Sequence, residues 1–395
     1  MHNTVTEDRI RTAIEQLNAI HPALSAVVEI DTDQEYSRIK ILDPIDINSV
    51  LTFIDLDLSN DEQIGRYLEQ LHQNEKWTYS AQKPLWKVIV CNHRTVFFLF
   101  DHGLMDGRSG AIFIRDLSQI LDGQKNQTNQ QFDTIHPAMD EYVINSCGPR
   151  IAQVDAPARE PTFTPFDFEF EHRQHRTTTI SKEIMNTILE ACRVREVTFT
   201  AYLCSCVVAL LSEQYPSNTG FLGMIPIDSR RYFEPDYYTQ NGQHVAMKDT
   251  LGAYIFQFRY TSAPVRNLAG MWDCAKDITT KLRQNLAGKP GWLLSTIPTL
   301  HVRTLAGNML KLNHKPRDID FIVSNLGLVD LVGRLGFSQP HSPIMAALKL
   351  NVIGSNDGVR IVLDATKALN ALSDVFDAEC AIRRVKELIM SSTVK

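Results

Sequence analysis

The fourteen residues Phe97-Phe-Leu-Phe-Asp-His-Gly-Leu-Met-Asp-Gly-Arg-Ser-Gly110 change character three times. The apolar run Val96 to Phe100 predicts a core strand. It stops at Asp101-His102, crosses Gly103 and reaches Asp106-Gly107. From Ser109 the spacing predicts a helix, with Ile112, Phe113, Leu117, Ile120 and Leu121 on its apolar side and Asp116 on the other. A histidine that ends a buried strand and precedes a glycine-containing turn belongs at the edge of a cleft rather than inside packing. Two readings of His102 follow: a base facing that cleft, or a polar cap on the strand hydrogen-bonded to a turn carboxylate.

Just upstream, Trp86 to Cys91 pairs with this strand around Asn92-His-Arg94. Further back, Ile10, Ala13, Ile14, Leu17 and Ile20 recur at helical spacing, and His21-Pro22 ends that helix. Ala26 to Ile30 and Ser37 to Leu42 read as strands joined by a polar turn at Asp31 to Gln34, and Phe53 to Leu58 as another. Ser59-Asn-Asp-Glu62 has the spacing of a capping box opening a helix to about Asn74.

Downstream, residues 124–131 are polar and aperiodic, and a proline-bearing, strand-poor passage runs from Ile135 to about Phe170. Such stretches link domains or form functional loops. A boundary therefore falls within residues 150–175, drawn between lobes 1–165 and 166–395. The second half predicts a strand at Arg176 to Ile180, a helix capped by Ser181 and an apolar helix from Thr198 to Tyr215. Strands follow at Phe221 to Ile227 and Ala253 to Tyr260, then a long helix from Leu268 to Leu286. A short strand at Phe321 to Ser324 precedes a hairpin of Leu348 to Ile353 and Val359 to Leu363, turned at Asn356-Asp-Gly358. A helix from Asp374 to Met390 closes the chain. Two similar-sized α/β lobes result, with a ligand cleft or tunnel expected between them.

The 395 residues are 44% apolar and 22% charged, ordinary values for a globular protein. A net charge of −6 argues against a nucleic-acid surface. The longest nearly apolar run, Ala201 to Leu211, is too short to span a bilayer. The first residues lack the basic start and apolar core of a secretory signal. Seven scattered cysteines fit a reducing interior, so a cytoplasmic protein is expected.

Competing chemistries find little support. There is no Gly-x-Gly-x-x-Gly or Walker-type loop for nucleotide phosphates and no His-Glu-x-x-His. His172 and His175 are three apart, but their polar segment reads as a solvated loop, and no metal site is expected. Cys204 and Cys206 lie in an apolar helix, where cysteine acts as a small hydrophobe. Ser109 does not complete a Gly-x-Ser-x-Gly elbow, so a serine hydrolase is not indicated.

Four segments together resemble the acyltransferase superfamily that includes chloramphenicol acetyltransferase, the condensation domains of non-ribosomal peptide synthetases and fungal alcohol acetyltransferases. They are the helix containing Ala13-Ile-Glu-Gln-Leu17 with His21-Pro-Ala-Leu24, the central Asp101-His-Gly-Leu-Met-Asp-Gly107, Pro226-Ile-Asp-Ser-Arg230, and Ser324-Asn-Leu-Gly327. Their order and spacing fit the family from about residue 7 to 390. The resemblance implies two chloramphenicol-acetyltransferase-like lobes with a substrate tunnel between them. It implies an acyltransferase that moves an acyl group, acetyl being one candidate, from coenzyme A to the hydroxyl or amine of a small molecule. His102 would be the general base, since an imidazole titrating near neutrality is both unprotonated and competent. Asp106 would be structural, paired with an arginine, here Arg230. Gly107 would allow a sharp turn that brings backbone to the cleft. Asn325 would support an oxyanion or the cleft wall. Acyl-CoA would be a co-substrate, with no tightly bound cofactor, and the protein a monomer.

The sequence departs from the family pattern at Asp101, where the motif's first histidine is replaced. That position supports the base rather than acting as one, so activity is expected to survive, and a nearby carboxylate would raise the imidazole's pKa. The plant-type Asp-Phe-Gly-Trp-Gly motif is missing. Relatives carry an extra strand before the first helix, so a trimmed N-terminal lobe, or a sequence short at its start, is expected. Two alternatives remain: the same fold drawing its acyl group from a carrier-protein thioester, and a catalytically silent member that binds or shapes a product. Intact His102, Asp106 and Gly107 count against the silent reading, and Asp101 counts for it.

Overall fold

A computed structural model describes residues 6–30, 37–42, 44–56, 58, 60–74, 82–123, 173–232, 237–238, 244–245, 247–287, 319–329, 346–366 and 378–391. Helix α1 (Glu7–Ile20) is followed by the hairpin of β1 (Ala26–Ile30) and β2 (Ser37–Ile41). A single helical turn, α2 (Ile47–Val50), leads into β3 (Leu51–Ile54), and α3 spans Asp61–Asn74. Strands β4 (Trp86–Cys91) and β5 (Thr95–Phe100) complete a three-stranded sheet, and α4 (Gly107–Leu121) ends this half. The β4–β5 reversal works because Asn92 and His93 both adopt the left-handed conformation, at φ 47° and 55°.

The second half begins with β6 (Arg173–Ser181), α5 (Lys182–Val194) and α6 (Phe199–Gln214). Strand β7 (Phe221–Asp228), the two-residue pairing of β8 (Tyr237–Tyr238) with β9 (His244–Val245), β10 (Ile255–Ser262) and helix α7 (Leu268–Ala287) follow. Then come β11 (Ile319–Leu328), β12 (Ala346–Ser355), β13 (Gly358–Thr366) and α8 (Ala378–Ser391). A six-stranded sheet in the order β10-β7-β11-β12-β13-β6 organises this half. Strands β7, β11 and β12 run parallel, and the outer pairings are antiparallel. Helix α6 is apolar all round because it is enclosed all round, by the sheet and by α7 and α8. The parallel centre of the sheet sends β7 and β11 toward the N-terminal half at their C-terminal ends, where ligands bind in α/β sheets.

Several expectations shift. The capping box that opens α3 closes one residue later than the sequence spacing predicts. Asn60 Oδ1 accepts from Gln63 N at 2.9 Å and Gln63 Oε1 accepts from Asn60 N at 3.3 Å, while Ser59 lies outside the described residues. The strand expected at Phe53 to Leu58 is instead Leu51–Ile54, its register set by pairing with β4. The short strand expected at Phe321 to Ser324 is ten residues long, because it pairs with neighbours on both sides. Asp116, assigned to the open side of α4, is buried at 4% exposure. Its carboxylate binds His21 Nε2 at 2.8 Å and Arg115 Nε at 2.7 Å, so the polar side of α4 faces α1 rather than water. The boundary at 165/166, the polar run 124–131, and His172 fall outside the described residues.

Links between the halves among the described residues include the following. Arg115 reaches Asp249 at 2.8 Å, Arg176 reaches Glu69 at 2.7 Å, and Leu251 is buried in the core of the N-terminal half. Among the described residues no single helix is long and apolar enough to cross a membrane.

Candidate active site

The turn that carries His102 is shaped by its neighbours before any chemistry is considered. Phe98 of β5 stacks on Phe113 of α4 with ring centroids 3.7 Å apart, so strand and helix are clamped beneath the turn. Met105 is fully buried. Asp101 folds its carboxylate back onto the chain, where Oδ1 accepts from Gly103 N at 2.8 Å, and its carbonyl accepts from Leu104 N at 3.1 Å. The substituted motif position thus holds the turn by a local Asx interaction.

Asp106 faces the protein. It caps α4 by accepting from Ser109 N at 2.8 Å. Its two oxygens also take a bidentate pair from Arg230, Nη1 to Oδ2 at 2.8 Å and Nη2 to Oδ1 at 3.0 Å, and Oδ2 accepts from Tyr254 N at 2.8 Å. Both side chains are about 1% exposed. Burial by itself would raise the Asp106 carboxyl. The Arg230 charge and the hydrogen bonds from Arg230, Ser109 and Tyr254 outweigh that and hold it below the usual carboxylate range. Arg230 further donates to Thr250 O at 3.0 Å, Gly252 O at 2.8 Å and Asp228 Oδ1 at 3.0 Å. Ser109 is absorbed in the same network, since its hydroxyl accepts from Gly252 N at 2.9 Å and from Arg230 Nη2 at 3.0 Å.

Gly107 departs from its expected role. It is the first residue of α4 and therefore helical, so it makes no left-handed turn. It lines the pocket instead, where a hydrogen in place of a side chain leaves the wall open beside His102. The position that needs glycine is Gly252, at φ +155°, where an added Cβ would lie 2.3 Å from the Tyr254 ring.

His102 opens onto a cavity of about 380 Å³ between the halves. Facing it are Thr200 at the start of α6, the end of β7 around Asp228, Asn325 of β11 and Lys349 of β12. The ring is closely surrounded by protein yet remains accessible from the cavity. Burial, and after it the Lys349 charge, push the imidazole's pKa below its ordinary value near 6.5. A hydrogen bond to the residue's own backbone and the carboxylates of Asp106 and Asp101 act the other way without reversing the shift. Asp101 does act to raise the pKa as expected, but its effect is the smallest of these, and desolvation dominates. Asn325 is fixed at both ends of its amide, Nδ2 donating to Thr200 Oγ1 at 3.0 Å and Oδ1 accepting from Gly327 N at 2.9 Å.

Lys349, Gly252, Tyr254, Arg108 and Arg231 were not singled out from the sequence. Lys349 had a signal, as a lone cation in the apolar run Met345 to Val352. Cys204 and Cys206 are buried, with thiol pKa values pushed far up by desolvation, so neither is a ready nucleophile. Among the described residues no group of three or more His, Cys, Asp or Glu is placed to hold a metal ion.

A histidine-bearing turn, a carboxylate–guanidinium joint behind it and a pocket between the halves thus meet at one place. The sequence model of the family "Alcohol acetyltransferase" matches residues 35–149. "Uncharacterized protein C18B11.03c" of Schizosaccharomyces pombe is 24% identical over 81% of this chain and 75% of its own length. "Probable alcohol acetyltransferase crmB" of Aspergillus fumigatus is 22% identical over 75% of this chain and 71% of its own. Among solved structures, the epimerization domain of tyrocidine synthetase B superposes with a TM-score of 0.62 at 13% identity, covering 99% of this chain and 89% of that one. The first condensation domain of the CDA synthetase superposes with a TM-score of 0.59 at 13% identity, over 99% and 89%. The chain is thus similar in sequence to alcohol acetyltransferases and in fold to condensation-type domains, and the sequence likenesses support an acyltransferase.

Proposed function

We propose that the protein transfers an acyl group, acetyl being the first to try, from a coenzyme A thioester to the hydroxyl or amine of a small molecule. The reading rests chiefly on one observation: His102 opens into the pocket between the halves, where burial and the Lys349 charge lower its pKa and favour the neutral ring. A neutral imidazole takes the acceptor's proton as the acceptor oxygen or nitrogen attacks the thioester carbonyl carbon. The negative charge moves to the carbonyl oxygen, where the second amide hydrogen of Asn325 is a donor to hand. The C–S bond then breaks, and the imidazolium returns its proton to the leaving thiolate. The products are ester or amide and free thiol. Asp106 and Arg230 touch no reacting atom and act by holding the turn.

The same steps serve a thioester on a carrier protein, and the condensation-domain likeness supports keeping that donor in view. Within the cytoplasm, where we place the protein, either donor would be at hand. The test is release of free thiol from a panel of acyl-CoAs, with an acyl-carrier thioester alongside, by wild type and His102→Ala. Loss of at least about a hundredfold in rate is expected for the variant, with an unchanged melting temperature. Wild-type turnover by His102→Ala would refute the base.

A further inference from the structure

Around Asn325 the direction of each hydrogen bond is forced by its neighbour. Strand β11 bulges between Asn325 and Leu328, where Gly327 adopts the left-handed conformation at φ 73°. The bulge turns the Gly327 amide back onto the Asn325 side chain, 2.9 Å from Oδ1. A backbone N–H can only donate, so flipping the side-chain amide would set two donors against each other. The oxygen therefore stays on Gly327, and Nδ2 stays on Thr200, 3.0 Å from Oγ1.

The same logic passes to Thr200. Its oxygen accepts from Nδ2, so its own hydrogen must point elsewhere. Two hydroxyls deeper in α6 return that hydrogen to a carbonyl of their own helix, Ser205 Oγ to Tyr202 O and Ser212 Oγ to Val208 O, each at 2.7 Å. Thr200 makes no such bond among the described residues, and it is half-buried on the wall of the cavity that also holds His102. Two donor hydrogens are left side by side on that wall, the Thr200 hydroxyl and the second Asn325 amide hydrogen. Their heavy atoms are 3.0 Å apart, a spacing that lets both reach one oxygen. Thr200 is also the second residue of α6, a 16-residue helix capped by Thr198, so an oxygen there meets the positive end of the helix dipole.

We propose that Thr200 is a further catalytic residue, its hydroxyl joining the Asn325 amide to form a two-donor hole for the thioester oxygen. The proposal rests on the acyl-transfer reading of the pocket. As the acceptor bonds to the carbonyl carbon, the π pair of the C=O bond moves onto oxygen, where both donors meet it. Thr200 keeps its proton throughout. When the π bond re-forms, the C–S pair leaves with sulfur.

Infrared difference spectra of bound acetyl-CoA, isotope-labelled at its carbonyl carbon, test this without an acceptor. The carbonyl band should move to lower frequency on binding to wild type. Thr200→Val and Asn325→Ala should each lose part of that shift, the double variant should lose nearly all of it, and Thr200→Ser should keep it. Thiol release from acetyl-CoA should fall about a hundredfold in Thr200→Val and stay within about tenfold of wild type in Thr200→Ser. A threonine that only steadied Asn325 would have nothing left to do once the amide is gone. No further loss of shift on adding Thr200→Val to Asn325→Ala would therefore overturn the proposal, as would the lack of any shift in wild type. The wild-type and Thr200→Ser spectra stand even if the valine variant does not fold. His102→Ala separates the two readings, because it should keep the shift while losing turnover. Retained turnover there sinks the base alone, and a missing shift beside intact dependence on His102 sinks the hole alone.

Discussion

Asp106→Ala would strip five hydrogen-bond donors of one acceptor group: Arg230 Nη1 and Nη2, the Ser109 amide and hydroxyl, and the Tyr254 amide. The dominant cost is the Arg230 guanidinium, left about 1% exposed and without its bidentate partner, which is worth about 3–5 kcal/mol. Loss of the helix cap adds about 1 kcal/mol, and the orphaned Tyr254 N–H about 1–3 kcal/mol. These groups form one network and will not add, so a total of about 5 kcal/mol is expected. With an m-value of about 3 kcal/mol/M in urea, the unfolding midpoint would fall by about 1.7 M. Tryptophan fluorescence against urea reads this directly. Removing both charges in Asp106→Ala/Arg230→Met should recover most of the loss, since an absent pair costs less than a broken one. A single variant within about 0.3 M of wild type would refute this account of the joint.

The pH dependence gives an internal check. The folded-state pKa of Asp106 is depressed, so its contribution is complete above the unfolded value of about 3.9 and disappears as pH falls through the folded value. The gap between wild type and Asp106→Ala should therefore hold down to about pH 4 and shrink only below it.

His102 titrates below its ordinary 6.5, so the acid limb of kcat/KM should lie below that pH, and a limb above about 7 would contradict the roles given to burial and Lys349. Asp101→Asn keeps an oxygen for the Gly103 amide and should leave activity within about threefold of wild type, whereas Asp101→Ala should cost about 1 kcal/mol of stability and lower activity; acyl-transfer rates and melting curves distinguish the two. Gly252→Ala forces a Cβ within 2.3 Å of the Tyr254 ring and should destabilise by about 2 kcal/mol or more, read as a lowered melting temperature, with activity falling too because the Asp106 network shifts.

The sequence was most informative where one residue type answers to one local requirement. The alternation of apolar strands with periodic helices located the secondary elements, and the Asn356-Asp357 turn sits where predicted, between Ser355 and Gly358. The motif placed His102, Asp106, Arg230 and Asn325, and the structure gathers all four around one pocket and the joint behind it. What sequence could not supply was non-local. Nothing in the period of α4 says that Asp116 is buried against His21, because that depends on where α1 docks. Nothing near Gly252 says that its carbonyl will receive Arg230 and Ser109, more than a hundred residues away in the second case. Lys349 looked like an interruption in a strand until the strand became a pocket wall.

The placement of Asp106 has a consequence for catalysis beyond stability. Apart from Ser109, its side-chain partners all belong to the second half of the chain, while His102, four residues before it, belongs to the first. Asn325 and Lys349, across the pocket, stand on the six-stranded sheet that also ends in Arg230 through β7. The joint therefore fixes His102 relative to the groups opposite it, and any change that lets the halves slip would move the proposed base away from its acceptor. Misplacement by about 1 Å can cost about a hundredfold in rate. Arg230→Lys is the sharpest probe: it keeps the charge and loses the fork, so activity should fall more than stability does. A lysine variant with full activity and reduced stability would confine the joint to a structural role.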